Sequence, residues 1–420
     1  MSRRRLLLAC TLAATSWLIV PIAAEQQPQP TIKVPYEMFT MTNGLTVILH
    51  EDHSVPRVAL NIWYHVGSSR EKPGRTGFAH LFEHLMFEGS GHVREGEFDT
   101  LLESVGGTNN GSTTTDRTNY YEAVPSNAVD IPLFLESDRM GYLLDIVTPA
   151  LVDGQRDVVK NERRQSIENT PYMKAVVRMT ELLYPPNHPY HWPVIGYMDD
   201  LTAASQEDVI DFFKKYYAPA NASLVIAGDI NPADVRKKVE YWFADVKPGA
   251  KVEPLVVPPA ELTGIIRESM TDDVQLPRIY LAWLSPALYA KGDADLDLLS
   301  GVLTGGKNSR LYKRLVFELQ LAQDVNAFQD SSQYGSTYNI SVTARPSADA
   351  PDVVLKKITA IVDEELEKLR SAPPDAREVE RVKNGFEAGF VNQIETIESK
   401  ADKMNAYFTA TGNPDYFATD

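Results

Sequence analysis

His80-Leu81-Phe82-Glu83-His84 is the stretch on which the reading of this chain turns. On a helix, residues four apart share one face, so His80 and His84 can aim their imidazoles at a single metal ion. Glu83 lies close enough to reach a water on that ion. Two neutral imidazoles suit zinc, and a nearby carboxylate suits proton transfer. Around them stand Phe78, Leu81, Phe82, Leu85 and Met86, so Gly77 to Phe87 is expected to be a buried helix. Three polar groups on such a helix are costly unless they have partners.

The flanking sequence supplies sheet. Phe39 to His50 alternates and contains Asn43-Gly44, a hairpin-turn pair. Val58 to Val66 is a second strand. Gly106-Gly107 breaks the chain before a Thr/Tyr-rich strand expected from Thr113 to Val124. Ile131 to Leu144 and Val152 to Ile167 carry helical periodicity. Leu224 to Ala227 is an apolar strand ending at Gly228-Asp229, and a helix is expected from Pro232 to Phe243.

With 420 residues, 43% hydrophobic and 23% charged, the chain is globular in composition and long enough for two domains. Residues 1–24 read as a secretory signal peptide, with a single membrane anchor as the alternative: Arg3-Arg4-Arg5, an apolar run, then Pro21 and Ala23-Ala24 as a cleavage site. Export to the periplasm of a Gram-negative cell is the expectation, with no stable membrane span after cleavage. The single cysteine, Cys10, lies in that segment, so no disulfide or thiolate ligand is available beyond it. The net charge is −16, and residues 1–24 hold three arginines and no acid, so the remainder is more acidic still. That balance argues against nucleic-acid binding.

A proline-rich stretch, residues 247–261, separates residues 33–246 from residues 262–420. The two parts echo each other. Arg278-Ile279-Tyr280-Leu281-Ala282-Trp283 follows the pattern of Arg57 to Trp63, and a helix is expected after each. Laying Gly305 on Gly89 sets His80 on Leu296, Glu83 on Leu299 and His84 on Ser300. The second copy keeps the helix and loses the metal chemistry. The first copy closes with the strand and helix after Asn221, and nothing comparable follows Phe408, so the second domain is expected to be incomplete at its C-terminus.

A catalytic zinc needs a third protein ligand and an open position. The stretch Val158-Val159-Lys160-Asn161-Glu162-Arg163-Arg164 is the best source, with Glu162 close to an apolar pair and Glu168 as a rival. His188 and His191 are weighed as a second metal site and read instead as loop residues. Gly305-Gly306-Lys307 lacks the earlier glycine of a phosphate loop.

Taken together, His80, Glu83 and His84 resemble an inverted H-E-x-x-H motif. With Asn110-Gly111-Ser112-Thr113, then Asp116, Thr118 and Tyr120, then Glu162, the chain looks like the pitrilysin family of zinc metallopeptidases. That family includes insulin-degrading enzyme and the mitochondrial processing peptidase. Further likeness lies in Tyr216 to Asn221 and in Ser309-Arg310-Leu311-Tyr312.

The resemblance implies an α+β fold: two homologous domains, each an antiparallel-rich sheet packed with helices, forming half of a clam-like peptidase chamber. It implies one zinc ion held by His80, His84 and Glu162, with Glu83 activating the water. It also implies a substrate edge at Asn110, Gly111, Ser112 and Thr113, where peptides or unfolded segments pair main chain to main chain. Two positions depart from the family pattern. Gln155 stands where a second glutamate is common, and as an amide supports the site without charge. Near Leu315 to Val325, where an Arg and a Tyr are common, stand Val316 and Gln323. A second pitrilysin-like half, fused downstream or as a separate subunit, is therefore expected to complete the site. The expected function is a zinc-dependent endopeptidase. The alternative is a non-catalytic partner or assembly subunit of a pitrilysin-type heteromer, and metal storage is a more distant rival.

Overall fold

The alternating segments of the first half pair into one mixed sheet. This computed structural model describes residues 32–257 and 259–420. The segment read as a signal peptide lies outside them. The strands are β1 (Glu37–Thr40), β2 (Thr46–Glu51), β3 (Arg57–Tyr64), β4 (Thr108–Thr113), β5 (Thr118–Pro125) and β6 (Ala222–Gly228). Their order is β1-β2-β6-β3-β5-β4. Only β2–β6 is parallel. The strand expected from Thr113 to Val124 is thus two strands. Thr113 closes β4, and a polar turn leads into β5, because the pairing starts at Thr108, earlier than composition suggested.

Helices α1 (Phe78–Leu85), α2 (Glu97–Ser104), α3 (Asp130–Tyr142), α4 (Pro149–Arg163), α5 (Met173–Leu183), α6 (Met198–Ala203), α7 (Gln206–Tyr216) and α8 (Pro232–Phe243) belong to this half. Side chains alternate along each strand, so Leu60, Ile62, Tyr64 and Tyr120 face one side and meet Leu81, Phe82 and Leu85 of α1. Phe82 stacks on Tyr217, with ring centres 4.8 Å apart, and lies 6.0 Å from Phe213 of α7.

The start of α1 is held tightly. Gly77 has φ of +86°, and a Cβ there would lie 2.6 Å from the Ile195 carbonyl oxygen, so only glycine fits. The buried Glu71 carboxylate accepts the Gly77 and Ala79 backbone N–H groups, which have no partner within the helix.

The second half holds β7 (Arg278–Ser285), β8 (Ala322–Asp330) and β9 (Ser336–Ala344), antiparallel in the order β7-β9-β8. Helices α9 (Asp293–Thr304), α10 (Pro351–Ser371), α11 (Ala376–Gln393) and α12 (Ile397–Thr411) follow. The topology repeats the first half in part: α9 follows β7 as α1 follows β3. Arg310 and Glu378 form a bidentate pair inside this half.

α12 leaves its own sheet and covers the other face of the first. Ala401, Met404 and Tyr407 pack on Ile48, Ala59, Val225 and Ala227. Asn405 donates to the Asn61 carbonyl at 2.7 Å and accepts from Ser223. The halves also meet at Asp116, whose carboxylate accepts the Tyr190 hydroxyl and the Gln333 backbone N–H. Among the described residues no helix is long and apolar enough to cross a membrane.

Candidate metal centre

α1 turns its apolar face to the core, and the remaining face carries His80, Glu83 and His84. α4 lies against it. Val152 and Val159 of α4 are buried, and Glu162, three residues after Val159, falls beside that buried stripe. Thr148 caps this helix by accepting the Leu151 N–H, and Pro149 begins it. After Arg163 the backbone widens into a π-helical turn through Glu168, a deviation often found beside functional residues.

His80 Nε2 lies 3.7 Å from Glu162 Oε1, and His84 Nε2 lies 3.1 Å from Glu162 Oε2. Single ligand atoms from the three residues all fall within 4.8 Å of one another. Tetrahedral zinc with bonds near ~2.0–2.1 Å sets its donors roughly 3.3 Å apart, so two imidazoles and a carboxylate at this spacing fit the ion. The two imidazole rings stand edge to face, at 82° and with centres 4.8 Å apart. Burial pulls the His80 imidazole down to about 4, and the adjacent His84 adds to that, which keeps its nitrogen lone pair available. The fit has one gap: His80 Nδ1 is buried without a hydrogen-bond partner, so no acceptor fixes the tautomer.

Glu83 faces the first sheet's last strand. Thr113 Oγ1 donates to Glu83 Oε2 at 2.5 Å. A Cβ on Gly111 would lie 3.2 Å from Glu83 Cγ, 3.1 Å from Phe87 Cε2 and 3.1 Å from Tyr120 Cδ1. Burial raises the Glu83 carboxyl above its ordinary value, while the Thr113 hydroxyl and the nearby His84 and Arg117 pull it back. Beneath Tyr120, the fully buried Arg139 guanidinium pairs with Glu122 and Glu136 and sits 4.1 Å from the Tyr120 ring centre.

The four residues read as a substrate edge divide between two faces. Gly111 and Thr113 turn toward Glu83. Asn110 and Ser112 turn toward the face that α12 covers, since strand residues alternate. Ser112 Oγ donates to Asn119 Oδ1 at 2.7 Å, and Asn110 Oδ1 accepts the Gly111 N–H. β4 ends the sheet, so its outer edge has no strand beside it among the described residues.

Gln155 lies two turns before Glu162 on α4, and among the described residues it makes no side-chain hydrogen bond to the cluster. Glu168 pairs with Arg163 at 3.2 Å and stays outside it. His191 Nδ1 meets the Tyr184 carbonyl at 2.7 Å, and His188 stacks on the Tyr184 ring, so both serve a loop. Val316 is buried in the second core, and Gln323 is exposed on β8. Sequence reasoning missed the Thr113 hydroxyl contact to Glu83, Arg117 and the contribution of α12. The run of polar residues from Ser112 to Asn119 was the available sign.

Two family models match the chain. Insulinase (Peptidase family M16) spans residues 46–180, and Peptidase M16 inactive domain spans residues 203–386. Zinc protease PqqE of Helicobacter pylori is 30% identical over 406 residues, covering 94% of this chain and 88% of that protein. The crystal structure of a protease from Helicobacter pylori superposes with a TM-score of 0.78 at 28% identity, covering 90% of both chains. The periplasmic protease PqqL from Escherichia coli superposes with a TM-score of 0.74 at 17% identity, and this chain covers 44% of it. That last likeness speaks to fold alone.

Proposed function

Since this chain belongs to the M16 peptidase family, we propose that it is a zinc-dependent endopeptidase acting on peptides or unfolded protein segments. The observation that carries this reading is the meeting of His80, His84 and Glu162 beside a Glu83 carboxylate held at a free strand edge. In this reading His80, His84 and Glu162 hold one zinc ion per chain. Zinc at that place would supply Lewis acidity to a peptide carbonyl and to a water molecule.

The chain's own residues do the rest. Glu83 takes the proton of the attacking water at a carboxylate oxygen and returns it to the departing amine nitrogen. Thr113 fixes the orientation of that carboxylate by donating to Oε2. Gly111, with no Cβ, lets Glu83, Phe87 and Tyr120 pack directly against the backbone of β4, which keeps the carboxylate close to that strand. The outer edge of β4, from Asn110 to Thr113, pairs with the extended segment, a mode tolerant of sequence. Gln155, without a side-chain hydrogen bond to the cluster among the described residues, adds no charge to it. The proposed compartment is the periplasm, on the strength of the basic and apolar segment in residues 1–24.

A second reading has its own observation. Residues 203–386 match a model described as an inactive domain, and Val316 and Gln323 offer no cation or phenol. A further pitrilysin-like half, fused or separate, would then complete the site, with this chain as its metal-bearing or assembly partner.

One experiment separates the readings. The purified chain is assayed for bound zinc and for cleavage of a quenched extended peptide, beside Glu83→Gln. The endopeptidase reading expects zinc in both and a loss of roughly 10²–10⁴-fold in the variant. Zinc in neither protein ends it. Zinc in both, with cleavage only after a second M16 chain is added, favours the partner reading.

A further inference from the structure

We infer that Asp402, on the last helix of the second half, is a positioning residue for the substrate edge of the first half. The inference rests on the proposed use of β4 as that edge. Asp402 Oδ1 accepts three hydrogen bonds from the first sheet: Asn61 Nδ2 at 3.3 Å, Trp63 Nε1 at 3.2 Å and Asn119 Nδ2 at 3.2 Å. The register explains the convergence. Trp63 of β3 stands opposite Asn119 of β5, and Asn119 stands opposite Ser112 of β4. All three therefore share the face that α12 covers.

The Asn119 amide passes the constraint onward. Its nitrogen donates to the carboxylate, which leaves its oxygen facing Ser112 and Arg117. Asn119 Oδ1 accepts from Ser112 Oγ at 2.7 Å and from Arg117 Nη1 at 3.0 Å. Arg117 Nη1 also donates to the Ser112 carbonyl at 2.7 Å and to Ser112 Oγ at 2.6 Å. The same guanidinium lies 5.1 Å from the Trp63 ring centre. The carboxylate thus selects the amide orientation, and the amide and guanidinium hold the hydroxyl and the carbonyl of Ser112.

An edge strand bonded on one side keeps freedom that an incoming segment must remove when it pairs. Holding Ser112 from behind removes part of it beforehand, which favours binding. Glu83 and the ligand set lie on the opposite face, so the effect falls on substrate capture and little on the bond-breaking step. The half that lacks metal ligands acquires a role through this contact.

The test uses the full chain, with Asp402→Ala, Asp402→Asn and Asn119→Ala. Lys400→Ala serves as control, because Lys400 bonds Asp52 at 2.6 Å from the same helix but lies off this path. With a quenched extended peptide, Asp402→Ala is expected to raise KM about tenfold, the scale of donors left without an acceptor. Its kcat and zinc content should stay near wild type. Asp402→Asn, which keeps an acceptor oxygen, should fall between. Asn119→Ala should match Asp402→Ala, and the double variant should add little to either. In the metal-free chain, amide hydrogens from Asn110 to Thr113 should exchange faster in Asp402→Ala than in Lys400→Ala.

Equal KM values and equal exchange in those two variants would overturn the inference, as would additive losses at 402 and 119. Should wild type cleave nothing, the endopeptidase reading fails by itself, and the exchange comparison still decides the role of Asp402.

Discussion

α1 and α9 begin from the same place in their halves, each leaving a strand and lying over a sheet, and they end in opposite chemistry. α1 presents His80, Glu83 and His84 to a carboxylate from α4. At the positions that the repeat matches to His80 and Glu83, α9 carries Leu296 and Leu299. These line an apolar cavity of about 540 Å³ with Trp283, Tyr338, Val302 and Val382. Ser300, matched to His84, spends its hydroxyl on the Leu296 carbonyl at 2.9 Å. α1 is also covered by the aromatic residues of α7 and Tyr217, whereas α9 has the cavity beside it. The difference lies first in the side chains, since α9 carries none of the three polar groups, and then in the neighbour, since α4 brings the Glu162 carboxylate beside α1.

The strongest way to break this comparison is to remove the delivered ligands. His84→Ala or Glu162→Ala should abolish zinc retention and peptide cleavage, read by metal analysis of the purified chain. The fold should persist, because the core of Leu81, Phe82 and Leu85 is untouched. If zinc stays bound without Glu162, the contrast with α9 loses its basis.

The converse change should fail to build a site. Placing Leu296→His, Leu299→Glu and Ser300→His together in α9 sets polar groups against an apolar cavity. We expect a destabilisation of about 2–5 kcal/mol by denaturant titration, with no added zinc. A second zinc ion per chain would show that α9 needs only side chains.

A smaller effect probes the space around the base. Gly111→Val drives a side chain toward Glu83 Cγ, Phe87 and Tyr120. Cleavage should fall by about 10²-fold as the base is displaced from its productive geometry, while zinc content holds. Unchanged cleavage would mean that the strand can yield at no cost.

The smallest effect concerns how each helix start is held. Buried Glu71 accepts N–H groups at the start of α1, and buried Asp293 accepts the Tyr289 N–H at the start of α9. Burial raises the Glu71 carboxyl from 4.5 to about 8, against the pull of those donors. The folded state then binds the proton more tightly than the unfolded chain does. This contribution is complete below the unfolded value of 4.5 and is lost as pH rises through about 8. Glu71→Gln should flatten the dependence of stability on pH in that window, a slope of at most about 1.4 kcal/mol per pH unit. A slope left unchanged in the variant would assign the dependence to other groups.

Much of the first half was legible because its signals are local. Asn43-Gly44 marks the turn between β1 and β2, with Gly44 at φ of +94°. The period of Phe78, Leu81, Phe82 and Leu85 marks α1, and Pro232 to Phe243 is a helix over those same residues. The division of Thr108 to Pro125 into β4 and β5 was not legible. Threonine and tyrosine favour strand throughout, and the turn at Thr114 to Arg117 contains neither glycine nor proline. Glu162 and Glu168 both stood as candidates, Glu162 because it follows closely on the apolar pair Val158-Val159 in a helical stretch. The π-helical turn after Arg163 carries Glu168 away to Arg163.

From the chain alone came the helix with two imidazoles and a carboxylate, the second copy without them and the family likeness. Each rests on residue type and short-range period, which survive in a linear string. Tertiary structure alone decided that Glu162 meets His80 and His84, that Thr113 rather than Ser112 touches Glu83, and that Asp402 reaches Asn119 across 283 residues. Those outcomes depend on helix packing and strand register. A one-residue shift in register reverses which side chains face Glu83, and no local preference records that choice.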